Sequence, residues 1–157
     1  MSKQAVIDSN VLAALVDSHD KWHPKAQAIQ ADLKAEGVSL IHFDCVLNET
    51  ISVLARRSEE QGRSDQFPAL LDKLLRQVPE DTVTWIAAEG QRLHNDIVGW
   101  VRQTHSALNF HDALIALSCQ EFGIRVIVSF DKDFDRIPWL TRVANSSEVK
   151  PCFHSTR

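Results

Sequence analysis

The stretch NFHDALIALSCQEFGIRVIVSFDKDF, residues 109–134, holds a predicted helix, a turn and a buried strand in one continuous run. Asn109 is a good N-cap for a helix over 110–122, and Gly123 is the kind of residue that ends one. IRVIVS (124–129) follows at once and is rich in β-branched residues, which favour strands. A short apolar strand of this kind predicts burial on both faces, as in a parallel sheet covered by helices.

The same alternation of apolar strands and helices continues back to the N-terminus. Strands are predicted at residues 4–8, 38–43 and 82–86, and helices at about 11–17, 24–36, 45–60, 65–77 and 87–104. Gly37 is expected to end the second of these helices, and Asp44 can cap the third. The segment after Pro138 is predicted to be irregular or to contain one last strand. This alternation indicates an α/β fold with a central, mainly parallel sheet, and we expect residues 1–157 to form a single domain.

The composition is typical of an ordinary globular domain. Of 157 residues, 44% are hydrophobic and 24% are charged, so the chain can bury a core without disulfides or a structural metal. The three cysteines form no Cys-x-x-Cys pair, which gives no sign of a disulfide framework or a thiolate zinc site. No apolar run reaches the ~18 residues of a membrane helix, and no secretory signal is recognisable. We therefore expect a cytoplasmic protein with no membrane contact.

Two carboxylates directly follow predicted strands. Asp8 ends the first strand, and Asp131 lies just past the strand VIVS. In an open parallel sheet, groups beyond the carboxyl ends of the strands meet in one crevice. Each residue alone has a simpler explanation, since Asp8 could be a helix cap and Asp131 a loop acid in the charged run FDKDFD. Their common position at strand ends favours a shared site.

Two further acids lie on apolar faces of predicted helices. Glu49 shares its face with valines three residues before it and four residues after it. Ile115 and Ala116 follow Asp112 by three and four residues, so they lie on the same helix face. Asp112 also lies in the first turn of its helix, where the helix dipole favours a negative charge. The simpler alternatives are that Glu49 reaches solvent and that Asp112 serves only the helix dipole. A buried carboxylate is costly unless it is paired, protonated or bound to metal.

Four carboxylates gathered in one crevice need a compensating cation. Two carboxylates about 5 Å apart repel by roughly 3 kcal/mol at an effective dielectric of 20, and the sequence offers no obvious basic partner for each acid. An all-oxygen ligand set suits Mg²⁺ or Mn²⁺. The net charge of −4, from 21 acids and 17 bases, speaks against a general nucleic-acid binder. The four candidate acids nevertheless account for the whole excess of negative charge.

Motifs in this order resemble those of the PIN-domain family. VIDSNVLAAL (6–15) resembles the opening motif of the family, an apolar strand that ends in Asp before a small polar pair. LNETISVLARR (47–57) resembles the second motif, and residues 109–134 resemble the third and fourth together. The fourth motif here is SFDKDF (129–134), where Ser129 occupies a position that is often Thr in the family and keeps the hydroxyl. The ordered set spans nearly the whole chain.

The resemblance implies a three-layer α/β/α sandwich and a metal-dependent endoribonuclease that hydrolyses RNA phosphodiester bonds with Mg²⁺ or Mn²⁺. By that analogy, the catalytic and metal-binding residues are Asp8, Glu49, Asp112 and Asp131. The supporting residues are Asn10 and Ser129, which hydrogen-bond to the acids, and Asp133 as an extra acid. Many small members of the family are VapC-like toxins of toxin–antitoxin pairs. RNA, an antitoxin protein and a second copy of the chain are therefore the partners that the resemblance implies.

Other residues carry weaker signals. Arg56, seven residues beyond Glu49 on the same helix face, is either a substrate-phosphate contact or a solvated arginine. Arg57 is predicted to point elsewhere on the surface. The four tryptophans are more typical of core or interface anchors than of base-stacking platforms.

Two alternative functions remain open from the sequence. One is a non-catalytic PIN-like module that binds RNA or a protein, although such a module would not need four mutually repelling acids. The other is a metal-dependent DNA or flap nuclease, which would share the same site chemistry. A serine hydrolase and a nucleotide-cradling loop are disfavoured, because the sequence contains no Gly-x-Ser-x-Gly, Gly-x-x-x-x-Gly-Lys or Gly-x-Gly-x-x-Gly motif.

Overall fold

A five-stranded sheet forms the centre of the structure, a computed structural model that describes residues 2–154. Its strands are β1 (Gln4–Ile7), β2 (Ser39–Phe43), β3 (Val83–Thr84), β4 (Val126–Val128) and β5 (Thr141–Val143). The spatial order is β3-β2-β1-β4-β5, and every neighbouring pair is parallel. The prediction of a mainly parallel central sheet is therefore confirmed.

Eight α-helices within the described residues flank this sheet. They are α1 (Ser9–Val16), α2 (His23–Ala35), α3 (Asp44–Glu60), α4 (Phe67–Gln77), α5 (Ala87–Arg92), α6 (His94–Gln103), α7 (Phe110–Glu121) and α8 (Ser146–His154). Helices α1 to α4 and α8 pack together as one group, and α5 to α7 as another. The arrangement is the expected three-layer α/β/α sandwich. No helix in the described part of the chain is long and apolar enough to cross a membrane.

The core is built around β1, β4 and α1. All three residues of β4 are buried, as are the last three of β1. Seven of the eight residues of α1 are buried, and a helix that is apolar on every side belongs in an interior. Full burial of one side chain such as Leu12 contributes roughly 1.5–3 kcal/mol. The strand–helix unit that carries Asp8 is therefore almost entirely buried.

Two glycines end helices where the sequence predicts. Gly37 follows α2 with a φ of +67°, and Gly123 follows α7 with a φ of +68°. Only glycine takes up this left-handed conformation without a steric penalty from a side chain. Each turn sends the chain directly into the next strand.

The third predicted strand is shorter than expected, and Asp44 does not cap α3. Asp44 lies within the first turn of α3, where its buried carboxylate accepts the N–H of Ile86 at 2.8 Å. This N–H is therefore bonded to a side chain, and α5 begins at the next residue. Strand β3 is limited to two residues instead of the predicted 82–86.

Two helical predictions also need correction. The single helix predicted over 87–104 is divided at Leu93, which is buried and leaves helical geometry at φ −95° and ψ 10°. The segment after Pro138 contains β5 as foreseen, but it also contains the helix α8. Glu148 organises the start of α8 by accepting the N–H groups of Ala144 and Asn145 at 2.7 and 3.0 Å.

The sheet reverses its direction of winding between β1 and β4. From β1 the chain continues to β2 on one side, and it later returns to β4 on the other side. Such a switch point leaves a crevice at the carboxyl ends of the two strands, where ligands bind in open α/β sheets. The N–H of Asp8 donates to the carbonyl oxygen of Val128 at 2.9 Å, so the two strand ends lie side by side.

Candidate active site

Asp8 is fixed at the end of β1 by contacts to both of its carboxylate oxygens. The residue is 4% exposed and forms the N-cap of α1, with Oδ1 accepting the N–H of Ser9 at 2.8 Å. The hydroxyl of Ser129 donates to Oδ2 at 2.6 Å, and the side-chain amide of Asn10 donates to the same oxygen at 3.2 Å. These donors compensate for part of the cost of burying a carboxylate.

Ser129 and Asn10 join the ends of β1 and β4. While Ser129 donates to Asp8, its oxygen accepts the N–H of Asp131 at 3.0 Å. The amide of Asn10 lies 3.3 Å from the Ser129 hydroxyl, and its Oδ1 accepts the N–H of Phe130 at 3.1 Å. The loop after β4 is thus held against β1, and Asp131 is held with it.

Of the two candidate acids in this loop, Asp131 and Asp133, only Asp131 reaches the crevice. Asp131 caps a short 3₁₀ turn, and its Oδ1 accepts the N–H of Asp133 at 2.9 Å. The carboxylate of Asp133 instead pairs with Arg136 at 3.1 Å. Asp133, predicted as an extra acid, is not among the residues that line the crevice.

A capping box positions Asp112 at the start of α7. The N–H of Asp112 donates to Asn109 Oδ1 at 2.9 Å, and the N–H of Asn109 donates to Asp112 Oδ2 at 3.2 Å. The predicted cap is therefore confirmed, and it includes the candidate acid itself. Asp112 Oδ1 accepts no hydrogen bond from the described residues.

Glu49 and the three aspartates line the same pocket. Glu49 is half-buried on α3 and makes no hydrogen bond or ion pair with the described residues. The pocket has a volume of about 220 Å³. It is lined by Asp8, Ser9, Asn10, Glu49, Val53, Arg56, Arg57, Asn109, Asp112 and Asp131. All four predicted acids are brought to one place by four separate elements of the fold.

Burial and the gathering of like charges both affect the carboxylates of the pocket. Burial, together with smaller contributions from the negative charges of Asp8, Asp131 and Glu49, raises the pKa of Asp112 to about 7, although the bond from the N–H of Asn109 lowers it. Burial likewise raises the pKa of Asp8 to about 6, with contributions from Glu49 and Asp131, although the bonds from Ser129 and Ser9 lower it. A cation in the pocket would remove much of this penalty.

The donor set fits a hard divalent cation, but the side chains do not form a finished ligand cage. Within residues 2–154, no three His, Cys, Asp or Glu side chains are arranged so that they could hold a metal ion as they stand. Asp8 and Asp112 are fixed by hydrogen bonds, whereas Glu49 has no such restraint and can change rotamer. An ion would therefore have to draw the carboxylates together as it binds.

Two arginines flank the acids on α3. Arg56 is 64% exposed and lies 3.9 Å from Glu60, while Arg57 is half-buried and donates to Asp20 at 2.7 Å. The prediction that Arg57 points elsewhere is wrong, because it lines the pocket beside Arg56. The signal was present in the spacing, since positions seven and eight residues after Glu49 lie on the same side of a helix.

This parallel α/β sandwich, with acids at its switch point, has a recognisable family. The family model for the PIN domain matches residues 5–140, and the chain belongs to the PIN-domain family. A search of curated proteins with this sequence gave no match.

Two solved structures show the same fold. One is VapC20 from Mycobacterium tuberculosis, a sarcin–ricin loop cleaving toxin, with a TM-score of 0.67 and 22% identity over 87% of this chain and 96% of that chain. The other is VapBC2 from Rickettsia felis bound to a DNA fragment from its promoter. It has a TM-score of 0.63 and 17% identity over 89% of this chain and 97% of that chain. At these identities the likeness concerns the fold.

Proposed function

We propose that this PIN-domain protein is a metal-dependent endoribonuclease that hydrolyses RNA phosphodiester bonds. The observation that carries the proposal is the convergence of Asp8, Glu49, Asp112 and Asp131 on one pocket at the switch point of the sheet. Family membership supports a nuclease of this type. Two of these carboxylates have raised pKa values, as expected of a site that needs a cation.

In this proposal the four acids hold Mg²⁺ or Mn²⁺. An ion of this kind supplies an activated water and stabilises negative charge on the phosphate under attack. Ser129 and Asn10 orient Asp8, and the capping box with Asn109 orients Asp112. We still propose Asp133 as a supporting acid, although its carboxylate pairs with Arg136 and is not part of the pocket lining.

The two arginines at the pocket complete the proposed machinery. Arg56 is exposed and lines the pocket on the same face of α3 as Glu49. It can therefore donate to a phosphate oxygen of the substrate. Arg57, held by Asp20, provides a second fixed positive charge beside the acids. Positive charge at the rim allows an anionic strand to approach a pocket that is itself acidic.

Cleavage of a mixed-sequence single-stranded RNA tests the proposal. We expect cleavage with Mg²⁺ or Mn²⁺, none with EDTA, and a loss of more than about 100-fold in Asp112→Asn. That variant keeps an oxygen to accept the N–H of Asn109, so the capping box survives and only the charge is removed. Asp72→Asn, an exposed acid on α4, is the matched control and should cleave normally. Undiminished cleavage by Asp112→Asn would show that the site is assigned wrongly.

We further propose that the protein is the toxin of a toxin–antitoxin pair and acts in the cytoplasm, with an antitoxin and a second copy of the chain as partners. The likeness of its fold to two VapC-type structures supports this role. Induction in growing bacteria should arrest growth, and the Asp112→Asn variant should not. Co-expression of the product of the neighbouring reading frame should restore growth. Normal growth under strong induction of the active enzyme would contradict the toxin role.

A non-catalytic PIN-like binding module is the second candidate, and one observation favours it. The carboxylates share a pocket without forming a finished ligand cage in the described residues. Thermal melting with Mn²⁺ separates the two functions, because an ion at 100 times its Kd should stabilise the nuclease by about 2.7 kcal/mol. No stabilisation, together with RNA binding, would favour the module. A DNA oligonucleotide in the cleavage assay tests the DNA-nuclease alternative.

A further inference from the structure

Two aromatic rings and two lysines form a partly exposed surface beside the acidic pocket. We name Trp22, Phe130, Lys21 and Lys25 the aromatic shelf. Trp22 is 42% exposed, and its ring centroid lies 5.6 Å from that of Phe130 at an interplanar angle of 36°. An exposed tryptophan in tilted contact with a second ring leaves apolar surface in contact with solvent, which is characteristic of a binding surface.

The lysines of the shelf are held over the rings and are not paired with acids. Lys25 Nζ lies 5.0 Å from the centroid of Trp22 and 5.2 Å from that of Phe130. Lys21 Nζ lies 5.1 Å from the centroid of Trp22. Neither lysine makes an ion pair with the described residues, so both charges are free to meet an anion. In single-stranded RNA, bases can stack on aromatic rings while the neighbouring phosphates contact positive charges, and this surface offers both kinds of group.

The shelf is continuous with the proposed active site on both of its sides. Phe130 lies between Ser129 and Asp131, and its N–H donates to Asn10. On the other side, Trp22 shares a surface depression with Arg57, which also lines the acidic pocket.

A short chain of hydrogen bonds fixes the tryptophan relative to that arginine. Asp20 Oδ1 accepts the N–H of Trp22 at 2.8 Å, and Asp20 Oδ2 accepts from Arg57 at 2.7 Å. The backbone that carries the indole is therefore tied to the wall of the pocket. A strand bound in the pocket can reach the shelf without leaving the surface.

We propose that the aromatic shelf is a subsite for single-stranded RNA, in which a base next to the cleaved bond stacks on Trp22 and the adjoining phosphates contact Lys21 and Lys25. This inference rests on the proposed ribonuclease function and adds the residues that bind its substrate. It replaces the expectation that Trp22 is a core or interface anchor. Trp85 makes a useful contrast: it is 62% exposed, but no lysine or arginine of the described residues lies over its ring.

Binding of a fluorescein-labelled, mixed-sequence RNA of about 12 nucleotides in EDTA tests the subsite without cleavage. Trp22→Ala should weaken binding by about 5- to 150-fold, the range for loss of one base stack. Trp22→Phe keeps an aromatic face and should bind within about threefold of the unmodified protein. Trp85→Ala, with another exposed tryptophan removed, should bind normally. Melting temperatures of all variants establish that each one is folded.

Two further measurements separate stacking from charge. An abasic RNA of the same length should bind the unmodified protein and Trp22→Ala equally, because it has no base to stack. The double variant Lys21→Gln, Lys25→Gln should reduce the slope of log K against log salt by about 1.4, since each of the two phosphate contacts contributes about 0.7 for a single strand. The double variant Lys34→Gln, Lys73→Gln, on the exposed surfaces of α2 and α4, removes the same two charges and is the control.

The outcomes distinguish this inference from the proposed function. RNA binding by Trp22→Ala equal to that of the unmodified protein would overturn the subsite and assign the shelf to another occupant, such as a peptide. No RNA binding by the unmodified protein at about 100 µM would overturn it as well. If Trp22→Ala binds RNA normally but the protein cleaves RNA with metal, the subsite is wrong and the proposed nuclease function holds. If binding depends on Trp22 but no cleavage occurs, the subsite holds and the proposed nuclease function is wrong.

Discussion

Ser129 combines three hydrogen bonds in a fully buried position. It donates to Asp8 and accepts from Asp131 and Asn10, so its hydroxyl links two candidate ligands. We expect Ser129→Ala to lower the free energy of unfolding by about 1–2 kcal/mol, because a buried carboxylate loses its shortest bond while Asn10 still donates to it. Urea denaturation measures this change, and metal-dependent cleavage should fall with it.

Ser129→Thr is the control for this prediction, since it keeps the hydroxyl and adds only a methyl group. The threonine variant should cleave RNA far better than the alanine variant. Equal stability and equal cleavage in Ser129→Ala and the unmodified protein would show that the hydroxyl has no role in holding Asp8.

The candidate acids were predictable because each one lies at a position where the local sequence pattern favours an apolar residue or marks the end of a strand. Asp8 and Asp131 end strands, while Glu49 and Asp112 interrupt apolar helix faces, and these patterns are local. The hydrogen bonds among Asn10, Ser129 and the acids were expected only through the family resemblance. The shelf was missed altogether, because Trp22 and Phe130 are far apart in the chain and nothing local pairs them.

The capping box at the start of α7 stabilises the end of the helix and restrains Asp112 at the same time. Asn109→Ala removes the side-chain acceptor of the N–H of Asp112, and such a cap loss costs about 1 kcal/mol. Because Asp112 then loses a restraint, we also expect weaker Mn²⁺ binding. Asn109→Ser retains a capping oxygen and should preserve most of both properties. Chemical denaturation and a Mn²⁺ titration of the two variants check the prediction, and identical behaviour of alanine and serine variants would contradict it.

Elements with local start and stop signals were predicted well, and those shaped by distant contacts were not. Gly37, Gly123 and Asn109 act within a turn of their own helices. In contrast, β3 is limited by a bond from Ile86 to Asp44, more than forty residues away in the chain. The break between α5 and α6 falls at the buried Leu93, where no glycine or proline in the sequence indicates the end of a helix.

Burial of Asp8 and Asp112, together with the repulsion among the neighbouring acids, makes the stability of the whole protein depend on pH. The pKa of Asp112 is raised to about 7 and that of Asp8 to about 6, both from an ordinary value of 3.8. The folded metal-free protein therefore binds these protons at a higher pH than the unfolded chain does. Through these two groups, its free energy of unfolding should rise as pH falls from about 8 to about 5.

Buried His42 acts in the opposite direction, because burial lowers its pKa and acid then favours the unfolded chain. The comparison with Asp112→Asn cancels this effect, since both proteins contain the histidine. We expect the advantage in stability of Asp112→Asn over the unmodified protein to be large at pH 8 and small at pH 5. Urea denaturation in EDTA at several pH values measures it, and a difference that does not vary with pH would contradict the raised pKa.

The fold class and the common location of the acids followed from the sequence, whereas the strand order did not. The order β3-β2-β1-β4-β5 places β4 beside β1, although more than a hundred residues separate them. That adjacency brings Asp131 to Asp8. It arises from tertiary packing of helices on both faces of the sheet, which local patterns do not specify. The assignment of residues 1–157 to one domain stays a prediction.

Binding of Mn²⁺, followed by the electron paramagnetic resonance signal of the free ion, tests whether the four acids form a metal site. We expect that the protein removes this signal, and that Asp8→Asn, Glu49→Gln, Asp112→Asn and Asp131→Asn each weaken binding by at least about 10-fold. Asp72→Asn should bind as the unmodified protein does. If the protein binds no Mn²⁺, or if folded variants of the four acids bind it equally well, the pocket is not a metal site.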